Sequence, residues 1–317
     1  MTNNLQGQSL RSAVILGLSA LMSAVLALSA SSPALAQQRY PTADAAADAL
    51  YATAKSGDEK AALVVLGQGG EDIISSGDKV SDDAVRARFV SSYDAKHEIK
   101  TVGDKATLII GENNYPFPIP LVRRAGKWSF DTDAGRIEIL ARRIGHNELD
   151  AIQTALAYVD AQDEYASKDR GGGVGVYAQH FISGAGKKDG LYWPTAPGEE
   201  ESPLGELFAD ASAEGYGGGG GHAPYHGYYF RILTKQGFHA VGGPVDYVVN
   251  GKMIGGYGLV AYPAEYRNSG VMTFIVNHAG QVYQKDFGPV TADIAEKMTM
   301  FDPDPSWKKV DMTEPPK

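Results

Sequence analysis

The stretch APYHGYYFRILTKQG, residues 223–237, decides how the second half of this chain is read. A histidine among tyrosines with an arginine nearby has the composition of an active site, yet the same letters also build sheets. From Gly227 onward, Tyr228, Phe230 and Ile232 alternate with Tyr229, Arg231 and Leu233, which is the two-residue period of a strand in residue types that suit a pleated surface. Arg231 is then expected on a sheet face between aromatic neighbours, with its stem covering them. The tract reads as wall.

Working outward, the same alternation recurs in GYGLVAYP (256–263) and in VMTFIVN (271–277), whose partner QVYQKDF (281–287) lies across the turn NHAG (277–280). Upstream, GHNELDAIQTALAYVDAQDEYASKD (145–169) is a long helix: Asn147 is placed to cap it, Glu148 and Asp150 sit in its first turn, and Leu149, Ile152, Leu156 and Val159 repeat along one face. Glycines 171–173 end it. An acidic excursion, GEEESPLGELFADASAEG (198–215), carries a short helix and runs into the glycines of 217–221.

In the first half, Thr42 caps a helix in which Ala46, Ala49, Leu50 and Thr53 share a face, stopped by Gly57-Asp58. A second helix ends at Gly67, and a third is capped by Ser81 with Val85, Phe89 and Tyr93 as its buried stripe. The period then drops to two in HEIKTV (97–102), KATLIIG (105–111), FPIPLVRR (117–124) and KWSFDT (127–132). The prolines of YPFPIP (115–120) confine that segment to an edge or bulge, because each removes a ladder donor. The expected fold class is α+β in two domains: residues 37–143 as helices on a curved antiparallel sheet, then 144–317 as a long helix packed on a glycine-rich antiparallel sheet.

Residues 1–36 read as a secretory signal, with Arg11, an apolar run from Ser12 to Ala30, Pro33, and Ala34-Leu35-Ala36 before a cut at Ala36/Gln37. An uncleaved anchor is the alternative, because the run approaches the roughly 20 residues a bilayer core needs. No later stretch is long and apolar enough to span, so no transmembrane segment is expected after cleavage, and the location is periplasmic or secreted. The chain has no cysteine, which excludes disulfides and thiol chemistry. From Gln37 on, 28 basic against 38 acidic residues give −10, which speaks against a nucleic-acid partner. Residues 37–143 carry 15 basic and 16 acidic groups and 144–317 carry 13 and 22, so the composition changes near Ile144-Gly145.

Each chemistry-bearing cluster has a structural reading beside the functional one. Tyr93, Asp94 and His97 are the pocket candidates of the first half, or else the end of a helix where a histidine meets the dipole. Tyr192 and Trp193 in GLYWP, with Tyr225, His226 and Tyr228, are binding candidates that could stack on a polymer or pack over the long helix. His222 and His226 are four apart, but GGGGGHAPYHG is no helix and supplies no third ligand, so no metal is assigned. Asp169 before a glycine turn lacks the further oxygens of a calcium loop. Asp302 and Asp304 in FDPDPSW are read as capping a turn or facing water, with Phe301 and Trp307 anchoring the tail. With no nucleophile elbow, phosphate loop or dinucleotide fingerprint, no catalytic residue and no cofactor is assigned.

The helix ending in KSGD, the helix with RFVSSYD and the hairpin strand GKWSFDT resemble the cone-shaped fold of nuclear transport factor 2 and its secreted relatives, over residues 41–143. Some of those relatives use a cone pocket, which is why Tyr93, Asp94 and His97 are singled out. The long helix, variable loop and hairpin GVMTFIVNHAGQVYQKDFG (270–288) are similar to the soluble part of type IV pilins and pseudopilins, although here the helix lies mid-chain and is polar. PFPIPLVRRAGKW, GRIEILARRIGHNEL, KKDGLYWP, NGKMIGGYGLVAYPAEY and FDPDPSW together identify the chain as a member of the uncharacterised bacterial family called domain of unknown function 2950. These resemblances imply an exported envelope protein. The expectation is a non-enzymatic module that binds an envelope protein or cell-wall polymer, with a pocket binder or hydrolase, or an appendage subunit, as alternatives.

Overall fold

The computed structural model describes residues 37–75, 79–196, 198–205 and 224–311. His222 and the glycine run 217–221 lie outside the described residues, as does most of the acidic excursion. Thr42 opens the first helix, α1 (Ala43–Ser56), by accepting from the Ala45 N–H, and Gly57 closes it in the left-handed conformation at φ 70°. Asp58 caps α2 (Glu59–Leu66) in the same way. A single-turn helix absent from the sequence reading, α3 (Glu71–Ile74), follows. The next, α4 (Lys79–Ala95), starts before Ser81, which therefore lies within the helix and does not cap it. Of its expected stripe Tyr93 is buried and Phe89 half-buried, but Val85 is 53 % exposed, because it borders a cleft and not the core.

Five short strands form an antiparallel sheet: β1 (His97–Val102), β2 (Lys105–Ile110), β3 (Tyr115–Pro116), β4 (Leu121–Arg124) and β5 (Lys127–Phe130). Its order is β1-β2-β4-β5, with the two residues of proline-rich β3 joined to β2. Ala43, Ala46 and Leu50 of α1 pack with Leu66 of α2 onto Leu121, Trp128 and Phe130, so the helices lie on one sheet face.

Asp131 then caps a 35-residue helix, α5 (Thr132–Ala166), by accepting from the Ala134 N–H. The sequence reading placed the cap of this helix at Asn147, and the cap is Asp131, 16 residues earlier. Gly145 costs a helix on the order of 1 kcal/mol and does not break it, and the change of composition at Ile144-Gly145 falls inside one continuous element. Asn147 and Glu148 have other work. The Asn147 amide donates to Ser269 O at 2.9 Å, and Glu148 Oε1 accepts from the N–H groups of Val271 and Met272 at 2.9 and 3.0 Å.

The second half is built on a sheet ordered β15-β13-β12-β11-β6, all antiparallel, from β6 (Tyr228–Leu233), β11 (Gly258–Pro263), β12 (Thr273–Asn277), β13 (Tyr283–Lys285) and β15 (Lys308–Lys309). Two smaller sheets flank it. One joins β7 (Lys235–Gln236) to β8 (Val245–Asp246) and β14 (Met300–Phe301), and the other pairs β9 (Val248–Val249) with β10 (Lys252–Met253). The opening stretch behaves as its period requires. Tyr228, Phe230 and Ile232 pack into the cluster shared with Ala155, Tyr158 and Val159 of α5. Tyr229 and Leu233 belong to the cluster on the opposite face, under the short helix α6 (Thr291–Ala295). Arg231 reaches that second face, where its Nη1 donates to the carbonyls of Ala295 at 2.7 Å and of Glu296, the end of α6. Its role is therefore a helix cap as well as a cover.

Candidate functional site

Among the described residues a concavity opens in the first half. It is a cleft of about 870 Å³ between α1 and α2 on one side and α4 and the first turns of α5 on the other, floored by the 117–119 loop. Leu50, Leu66, Ile74, Phe89, Ile119 and Leu140 give it an apolar interior, a size and composition typical of ligand pockets. Close docking of α5 makes the floor, since a Cβ on Gly135 would fall 2.8 Å from Ile119 Cγ1 and Cγ2. Past that contact, Ile137 is 71 % exposed and is, with Val85 of α4, an apolar lining residue left open.

The three guanidiniums of the cleft each have a partner. Arg136 Nη2 lies 3.1 Å from Asp72 Oδ2, and Arg86 donates to Asp83 Oδ1 at 2.6 Å and to Ala54 O at 3.3 Å. Arg143 donates to Asn268 Oδ1, which brings one residue of the second half to the mouth. Five carboxylates (Asp58, Glu59, Asp72, Asp82, Asp133) face three guanidiniums (Arg86, Arg136, Arg143), so the lining is net acidic.

Tyr93, Asp94 and His97, chosen from the sequence as pocket residues, do not line this cleft; Asp94 borders a smaller concavity of about 450 Å³ with Arg86 and Val90. Tyr93 is buried, and its hydroxyl donates to Asp48 Oδ1 at 2.8 Å. Burial, reinforced by that carboxylate, pushes the phenol well above its usual range. Its ring is sandwiched by Tyr51 at 4.5 Å and His97 at 4.0 Å, and His97 Nδ1 meets Tyr93 O at 2.9 Å. Asp94 is exposed on α4, accepts from the Tyr51 hydroxyl and pairs with Lys55 at 3.9 Å. The three residues stitch α4 to α1 and β1.

In the second half the binding candidates are mostly structural. Trp193 is buried, with its Nε1 donating to Glu200 O at 3.3 Å, and Tyr192 is half-buried in a bridge to Ile182. Arg170, whose side chain is 3 % exposed, stacks over Tyr165 and Trp193 and closes the end of α5 through Glu164 O. Tyr228 is buried and donates to Met272 O at 3.0 Å. Tyr225 edges onto His226, whose Nδ1 lies 3.3 Å from Asp150 Oδ2; His146 reaches the same oxygen at 3.3 Å. Among the described residues no group of three histidine, cysteine or acidic side chains is arranged to hold a metal ion.

Asp169 accepts from the Gly171 and Gly173 N–H groups and so folds its own glycine turn. Asp302 accepts from His239 N and pairs with His239 Nδ1 at 3.0 Å, while Asp304 accepts from Ser306 N at 2.7 Å. Phe301 is buried and Trp307 packs beside it, as the tail reading expected.

A pocket in the first half was the alternative reading of the sequence, but the residues that line this cleft were missed, because five separate helices contribute to it. The available signals were the apolar pair Ile73-Ile74 in a polar stretch and the i, i+3 pair Ile137 and Leu140 in RIEILARR.

No helix among the described residues is long and apolar enough to cross a membrane. A search of the curated proteins found no match, and a search of the solved structures found none. A family model described as protein of unknown function (DUF2950) matches residues 37–310, well over half of the chain. The chain belongs to that family.

Proposed function

We propose that this is an exported binding module whose first-half cleft takes an elongated amphiphile, apolar along its length and neutral or cationic at its head. The observation that carries the reading is the cleft: an apolar interior with two large aliphatic side chains, Val85 and Ile137, left open at its sides, under a net acidic mouth. Exposed apolar surface of this kind lowers its free energy by being covered, and the surplus of carboxylates disfavours an anionic head. The three guanidiniums of the lining are held by Asp72, Asp83 and Asn268, which leaves the apolar interior to do the holding. Export follows from the leader read in residues 1–36.

The test is displacement of a fluorescent apolar probe by alkyl chains of one length carrying trimethylammonium, hydroxyl or carboxylate heads. The cationic and neutral chains are expected to compete at least tenfold better than the carboxylate. Ala54→Trp, which projects a large ring into the cleft from a half-buried position on α1, is expected to lower affinity at least tenfold. Failure of all three chains to displace the probe, or no effect of Ala54→Trp, removes the proposal.

A second reading, docking to an envelope protein, is favoured by the 237–244 loop. Phe238 and Val241 are 82 % and 88 % exposed there. The loop is nonetheless pinned from beneath by Gln236, whose amide donates to Val241 O and Gly243 O at 3.1 and 2.8 Å, and by His239 on Asp302. A rigid loop presenting two apolar side chains has little ordering entropy left to lose on binding. Phe238→Ser with Val241→Ser should abolish recovery of a defined partner from an envelope extract; unchanged recovery rejects this surface.

A further inference from the structure

The N-terminal end of the described chain is held by an unusual contact. Gln37 directs its carboxamide into a cage of backbone oxygens: Nε2 donates to Leu66 O at 2.7 Å, to Phe130 O at 2.8 Å and to Val65 O at 3.3 Å. Val65 and Leu66 are the last residues of α2, whose terminal carbonyls have no partner within the helix. Phe130 ends β5, immediately before the cap of α5. One side chain, from a residue 28 to 93 positions away, therefore ties the ends of two elements together. The cage is shaped to it. A Cβ at position 67 would lie 2.8 Å from Gln37 Cβ and 2.9 Å from its Cγ, and Gly67 also needs its φ of +79°. The next residue continues the attachment, with Gln38 N–H donating to Val64 O at 2.9 Å.

Two further observations bear on this residue. In the sequence, the small residues Ala34 and Ala36 put the expected cut of a signal segment between Ala36 and Gln37. The family match also begins at residue 37.

We propose that processing leaves Gln37 as the first residue of the mature chain, and that the fold keeps its carboxamide as the cap of α2, out of reach of cyclisation with its own α-amine. An amino-terminal glutamine ordinarily closes on itself. The α-amine attacks Cδ, a C–N bond forms, the Cδ–Nε2 bond breaks, and the departing nitrogen leaves as ammonia. Here that reaction would consume the nitrogen that serves three carbonyls. It also requires the side chain to curl back onto its own backbone, away from Leu66 O and Phe130 O. Folding and cyclisation therefore compete for one group. Because Leu66 also lines the cleft, loss of the cap would loosen a cleft wall.

Occurrence in the cell rests on the export reading, but the cage does not, so the two are tested apart. A chain prepared to begin at Gln37 is incubated in native buffer and in concentrated urea at the same pH and temperature, and its intact mass is followed. Loss of one ammonia should be at least tenfold slower in the folded protein; equal rates overturn the shielding. Gln37→Ala should lower the melting temperature by several degrees, and Gln37→Glu, which sets a carboxylate against carbonyl oxygens, by at least as much; unchanged melting in both overturns the cap. Finally, the mass of the protein recovered from an exporting host should correspond to a start at an open Gln37. A start elsewhere, or a cyclised terminus, overturns the processing claim.

Discussion

At the scale of single residues, buried amides do much of the specifying. Gln162 is fully buried on α5. Its Nε2 donates to Ala178 O at 2.8 Å and to Tyr158 Oη at 3.0 Å, while its Oε1 accepts from Ala178 N at 2.9 Å. It pairs both backbone groups of a residue that belongs to no strand. Gln162→Leu fills the volume but strands those groups, so it is expected to cost about 2–4 kcal/mol in urea unfolding; a cost below about 0.5 kcal/mol would show that Ala178 finds other partners. Nothing in DAQDEYA marked this glutamine, because a polar residue on a helix gives no sign in sequence that its face is covered. Arg231 was easier to place. The alternation around it fixed its face, and only its partner, the end of α6, required the fold. Tyr93, Asp94 and His97 show the converse: three titratable groups near one another in sequence form a ring stack and a surface pair, and only Asp94 borders a concavity.

At the scale of elements, α5 is the decisive one. Its second half was legible from the repeat Leu149, Ile152, Leu156, Val159, which faces the second sheet. Its first half was not, because Gly135 and Gly145 interrupt the pattern and the apolar residues there face a cleft and the first sheet. The two glycines are expected to respond in opposite directions. Gly145 has open space around its Cα, so Gly145→Ala should stabilise by up to about 1 kcal/mol through helix propensity. Gly135→Ala meets Ile119 and should destabilise by about 1–3 kcal/mol through overpacking. Thermal melts of the two variants decide it; the same sign for both would contradict the close docking of α5. Glu148 gives a third check. Glu148→Ala leaves the Val271 and Met272 N–H groups unpaired and should cost about 1–3 kcal/mol, whereas Glu148→Gln keeps an accepting oxygen and should recover most of it.

At the scale of the whole molecule, no disulfide contributes, and among the described residues stability rests on four apolar clusters and on carboxylates tied into turns. Asp304 is held below the usual carboxylate range by Ser306, Asp169 by the Gly173 and Gly171 N–H groups, Asp189 by Gly184, and Glu200 by Lys168 and Lys188. Each folded pKa is depressed, so the contribution is complete above the unfolded value and fades as the pH falls through the folded one. The melting temperature should therefore be flat near neutrality and fall from about pH 4 downward. Asp304→Asn should flatten that fall slightly, as expected for one exposed group screened by solvent; a steeper acid slope in the variant would contradict the sign.

The cleft, assembled from residues that no local pattern unites, carries the functional reading, and hydrogen exchange tests it most directly. Adding a cationic alkyl amphiphile should slow exchange in the backbone of residues 50–62, 85–89 and 133–143 while leaving 228–263 unchanged. Protection confined to the second sheet, or none anywhere at saturating ligand, would contradict the account.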